Sequence, residues 1–194
     1  MDELNTRSRI VNTAVNMIRE HGYQNVSVTD ICRELGITRS AFYYYFKKKD
    51  EIFDYFLMEP DIHISKDVVP HLENTAYLRQ FEEIVKMFLD YINGLGPEIL
   101  RIVLKRHADR GVEKITPRHA AQWNTYVMLI QKAQQSGELN CTRSAEEIVE
   151  TVIYAINGVS LLWVHKNGGF CYQKECGKAL RILFQGLVSS SDIR

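Results

Sequence analysis

Two helices too short to stand alone, joined by a turn that begins with one glycine, limit most tightly what this chain can fold into. Ser27 opens the first. Its hydroxyl can accept from the backbone N–H three residues on, Asp30 can return the bond, and an acid there suits the helix dipole. Val28, Ile31, Cys32 and Leu35 then recur at helical spacing, the mark of one buried face. Gly36 stops that helix, and after Ile37 the side chain of Thr38 caps the next, from Arg39 to Phe46. Isolated helices shorter than ~12–15 residues are marginal in water, so these two must pack on each other and on a third. Residues 7–22 supply it, with Ile10, Ala14, Met17 and Ile18 on one face and Gly22 where a C-terminal cap belongs. The pattern describes a helix-turn-helix over residues 27–46.

Helical geometry sorts the side chains of the second short helix. At about 100° per residue, Phe42 and Phe46 share one face, while Ser40 and Tyr44 take the opposite one with Tyr43 beside them. The phenylalanines should anchor the helix, leaving adjacent tyrosines outside. An exposed tyrosine hydroxyl donates well to a phosphate oxygen. The whole chain is neutral, with 24 Lys+Arg against 24 Asp+Glu, which argues against a general polyanion-coating protein. Residues 27–49 differ: Arg33, Arg39, Lys47, Lys48 and Lys49 face only Asp30 and Glu34. Thr38, Arg39 and Ser40, at the start of the second helix, stand where a recognition helix meets base edges, and Arg39 suits a guanine. Double-stranded DNA is the expected partner.

The remainder reads as helix, near 74–93, 97–108, 117–135, 143–165 and 173–188, with breaks at Pro60, Pro70, Gly94–Pro97, Gly111, Ser136–Gly137 and Asn167–Gly169. The expected class is all-α. At 194 residues such a chain can bury roughly 70% of its surface, so its core needs no disulfide or metal. Cys32, Cys141, Cys171 and Cys176 form no C-x-x-C pair, and His63, His71, His107 and His119 show no metal spacing; no metal or cofactor is expected, and reduced thiols are. Cys171 and Cys176 are close enough in sequence to sense redox. Met-Asp-Glu-Leu at the start is unlike a secretory signal, and the apolar stretch from Glu150 to Lys166 is interrupted and short of the ~20 residues that span a bilayer. The cytoplasm is the expected compartment, with no membrane partner. Nucleophile-elbow, zinc-protease, dinucleotide and phosphate-loop motifs are missing, so no enzyme is expected.

The run Gly22-Tyr23-Gln24-Asn25-Val26-Ser27-Val28-Thr29-Asp30-Ile31, continued by Gly36-Ile37-Thr38-Arg39-Ser40-Ala41-Phe42-Tyr43-Tyr44-Tyr45-Phe46-Lys47-Lys48-Lys49-Asp50-Glu51-Ile52, resembles the DNA-binding domain of the TetR (tetracycline-repressor) family. The resemblance implies a bacterial transcriptional regulator, usually a repressor, that binds a palindromic operator as a homodimer and leaves it on binding a small-molecule effector. It implies an N-terminal three-helix DNA-binding domain at 1–58 and a C-terminal helical effector-binding and dimerisation domain at 59–194. Carried over by position, Thr38, Arg39 and Ser40 would meet bases, and Tyr43, Tyr44, Lys49 and Ser27 or Thr29 would hold phosphates. Tyr45 stands where the family often has His.

Two stripes suit a dimer interface: Val152, Ile156 and Val159 on one helix, and Ile182, Leu183 and Gly186 on the next. The resemblance implies a four-helix bundle made by two such helices from each subunit. The effector, unidentified by sequence, should meet interleaved aromatic and polar residues: Phe88, Tyr91, His107, Trp123, Tyr126 and Tyr154. The alternative is a DNA-bound regulator whose signal is a protein partner, with no small molecule.

Overall fold

The structure, a computed structural model, describes residues 3–56, 76–110 and 121–189. Among the described residues there is no β-strand, and the class is all-α as expected. Helix α1 spans Glu3–His21, starting ahead of Arg7. It buries Ile10, Val11, Ala14, Val15 and Ile18. Gly22, at φ 82°, turns the chain into a single 3-10 turn at Tyr23–Asn25. Only glycine enters that backbone region without strain.

Helix α2 (Val28–Leu35) starts with the expected capping box: Ser27 Oγ accepts from Asp30 N, and Asp30 Oδ2 accepts from Ser27 N. Gly36, at φ 66°, closes it in the left-handed conformation. Helix α3 (Arg39–Tyr45) starts at Thr38, whose hydroxyl accepts from Ala41 N at 3.1 Å. Helix α4 (Glu51–Phe56) completes the head and buries Ile52 and Phe53 against α1. Pro60, Pro70 and Gly111, expected as breaks, lie outside the described residues.

Among the described residues the body has four helices. Helix α5 runs from Tyr77 to Arg110 but is two half-helices meeting at Gly96, where φ is 79° and ψ 162°. Pro97 opens the second half, a position where its missing N–H costs nothing. Helices α6 (Ala121–Gln135), α7 (Ala145–His165) and α8 (Tyr172–Ser189) pack against it and one another. Two long-range caps hold the arrangement. Glu138, in the α6–α7 connection, accepts from the first-turn N–H of Leu78 at 2.8 Å. Arg101 donates to the Val164 carbonyl at 3.0 Å and to Asn167, fixing the α7–α8 turn on α5. In that turn a Cβ at Gly168 would lie 3.2 Å from Pro97. The turn and the kink are thus built to fit each other.

The structure corrects the expected dimer stripe on α7. Val152 is fully buried and Ile156 nearly so, inside their own subunit, and Val159 is half-buried. The large apolar side chains that α7 and α8 leave exposed are Tyr154, Leu161, Leu162 and Ile182. Helix α7 has two apolar faces. Spacing cannot say which of them its own subunit covers. On α8, Ile182 and Gly186 are exposed and Leu183 is half-buried.

Candidate nucleic-acid interface

Phe42 and Phe46 anchor α3 to the head, 0% and 3% exposed, their ring centroids 5.8 Å apart. That fixes the opposite face outward. Ser40 is exposed, Tyr43 is 42% exposed and Tyr44 is 72% exposed. Thr38 and Arg39 complete an exposed polar first turn. The Arg39 guanidinium lies 5.9 Å from the Tyr43 ring centroid, one helical turn away. This contact orients an otherwise free side chain at modest energy. Tyr45 is half-buried and packs edge-on against Tyr44 at 5.0 Å.

Two neighbours brace α3. Cys32 on α2 directs its thiol to the Thr38 carbonyl at 3.8 Å, and burial raises that thiol's pKa. Arg7 on α1 donates to the Tyr45 carbonyl at 3.2 Å and lies over the Phe46 ring. Ser27 and Thr29, at the start of α2, are exposed on the same head. Hydrogen bonds from Ser27 hold the Asp30 carboxyl below its ordinary range.

The lysines divide. Lys47 and Lys48 are exposed, and Lys47 N donates to Glu51 Oε2 at 2.7 Å. Lys49 is half-buried: its ammonium donates to the carbonyls of Tyr23 and Val26 at 2.7 Å each and lies over the Tyr23 ring. Lys49 therefore ties down the turn before α2, a structural duty that the run of lysines did not disclose.

The sequence reading also missed Tyr23, Asp50, Asp54, Glu98 and Arg106. The Tyr23 hydroxyl donates to Asp50. Burial, then the Asp50 contact, raises the pKa of that hydroxyl. Arg106 on α5 forms a two-pronged pair with Asp54 of α4, at 3.0 and 2.6 Å, and approaches Asp50 at 3.6 Å. Glu98 Oε1, also on α5, accepts from Tyr23 N at 2.8 Å. No local pattern announces partners so far apart in the chain.

The expected effector residues separate. Trp123 and Tyr126 are buried on α6, and Tyr126 meets Phe81 edge-on at 5.2 Å while accepting from Gln122 at 2.7 Å. Phe88 and Tyr91 are half-buried on α5. Tyr154 does not join them: it is 56% exposed on the outer face of α7. The side chain of His107 lies outside the described residues. An open groove of about 350 Å³ between α7 and α8, lined by residues including Glu147, Ile148, Leu183 and Leu187, contains none of the expected effector residues. Cys176 is buried, its thiol pushed up to about 11 by burial, whereas Cys171 is exposed. Burial removes Cys176 from easy oxidation.

Comparison with known proteins places the head and the fold. Residues 10–56 match the family of bacterial regulatory proteins known as the tetR family. The probable acrEF/envCD operon repressor of Escherichia coli K12 is 21% identical over 183 residues, covering 90% of this chain and 83% of that protein. The HTH-type transcriptional repressor BepR of Brucella suis is 20% identical over 198 residues, covering 97% and 94%. Among solved structures, Thermus thermophilus FadR, a TetR-family transcriptional repressor in complex with lauroyl-CoA, has a TM-score of 0.67 at 17% identity, covering 97% and 98%. With a braced α3 on a helical body of matching fold, the chain is a DNA-binding regulator whose residues 10–56 form a tetR-family DNA-binding domain.

Proposed function

We propose that the protein is a ligand-released repressor that binds a palindromic operator as a homodimer. The observation that carries this reading is the exposed first turn of α3, anchored from behind by Phe42 and Phe46. Thr38, Arg39 and Ser40 then read base edges. Ser27 or Thr29, Tyr43, Tyr44 and the remaining N–H of Lys49 hold phosphates. The DNA-binding unit is residues 1–58 and the effector and dimer unit 59–194.

The exposed apolar side chains of α7 and α8 support a homodimer, because Leu161, Leu162 and Ile182 would otherwise stay in water. Effector binding draws support from the buried or half-buried aromatic residues Phe88 and Tyr91 on α5 and Trp123 and Tyr126 on α6, and from the lauroyl-CoA held by the Thermus thermophilus protein.

Selection of bound duplexes from a random pool tests the reading. A homodimer returns inverted repeats with half-sites one helical turn, ~34–36 Å, or a multiple apart. Recovery of single asymmetric sites would overturn it. A screen of small apolar and acyl compounds for release of the selected duplex tests the effector. Release by none of them would leave a protein signal as the better reading.

A further inference from the structure

We propose that Arg106 is a positioning residue for DNA binding: from the helical body it sets the Lys49 edge of the head through Asp50 and Tyr23. The inference rests on the DNA-binding reading above. Arg106 does not itself reach DNA. Its side chain is only 14% exposed, and its guanidinium is committed to Asp54 of α4 and to Asp50 just before that helix. The pair with Asp54 uses two parallel bonds, which fix orientation as well as distance.

Asp50 divides its two oxygens. Oδ2 faces Arg106 at 3.6 Å, and Oδ1 accepts from the Tyr23 hydroxyl. Tyr23 in turn presents its ring and its carbonyl to Lys49, and its N–H is held by Glu98 of the body. The turn that carries Tyr23 is thus gripped from α5 at two points. Lys49 also bonds the carbonyl of Val26, the residue before the Ser27 cap of α2. A continuous polar chain therefore runs from a body helix to the lysine and to the start of α2, both proposed phosphate contacts. Losing Arg106 frees α4 and the Tyr23 turn while leaving every DNA-facing side chain in the sequence.

A double-mutant cycle tests this. The variants are Arg106→Met, Lys49→Met, Tyr23→Phe and their pairs. Binding is measured by fluorescence anisotropy on a random-sequence duplex at low salt and on the duplex selected by the unaltered protein. Arg106→Met should weaken both by roughly tenfold, inside the range for residues coupled in one charge network. In the Lys49→Met background the same change should cost less than about twofold. Arg106→Lys should recover part of the loss. Tyr23→Phe removes one hydroxyl and keeps the ring, so it tests the chain in a protein that stays folded; it should weaken binding and be non-additive with Arg106→Met. Unchanged binding in Arg106→Met or Tyr23→Phe overturns the proposal, as does an equal loss with and without Lys49, the signature of a merely structural role. Failure of the unaltered protein to bind either duplex would instead overturn the DNA-binding reading.

Discussion

The Lys49 ammonium lies 3.7 Å from the centroid of the Tyr23 ring while donating to the Tyr23 carbonyl at 2.7 Å. The lysine is thereby part of the head's fold as well as its proposed DNA edge. Desolvation lowers its pKa, and Asp50 beside it opposes that effect.

Lys49→Ala should therefore act twice. Two carbonyls lose a charged donor, and the head should lose about 1–3 kcal/mol of stability. If the third N–H holds a phosphate, the log–log salt slope of DNA binding should also flatten by about 0.9. Urea titration and binding at several salt concentrations separate the two effects.

Arg39→Ala should do the reverse. The side chain is exposed, so stability should stay within about 0.5 kcal/mol. Base preference at one operator position should relax by about 1–3 kcal/mol. Competition between the selected duplex and its single-base variants measures it. A uniform loss on all sequences would reassign Arg39 to the phosphates.

Ile182→Asp and Val152→Asp should separate interface from core. Ile182 is 62% exposed and Val152 fully buried. The first should give folded monomers by sedimentation. The second puts an unpaired charge in the core and should abolish cooperative unfolding near ambient temperature.

Stability should fall in acid through two caps. Asp30, held by Ser27, and Glu138, held by the Leu78 N–H, both have pKa values below their ordinary 3.8 and 4.5. A group depressed in the folded state stabilises above its ordinary value and loses that contribution as pH falls through the folded one. Urea midpoints near neutral pH and near about pH 3 should differ less in Asp30→Asn and in Glu138→Gln than in the unaltered protein.

The head was legible in the sequence because its signals are local. Ser27 with Asp30, Gly36 and Thr38 each act within four residues, and the outward turn of Ser40 and Tyr44 follows from helical periodicity once Phe42 is buried. The body was legible only as helices. The periodicity of α7 marked Val152 and Tyr154 as notable but could not say that one is buried and the other exposed.

The sequence by itself therefore determined the all-α class, the caps and turn of the head, and the face that α3 presents, because short-range hydrogen bonds and side-chain period decide these. Only the tertiary structure decided the partners of Lys49, the reach of Arg106 from α5 to α4, and which face of α7 stays exposed. Those depend on how helices distant in the chain are brought together, and no spacing within one helix encodes the partner it meets.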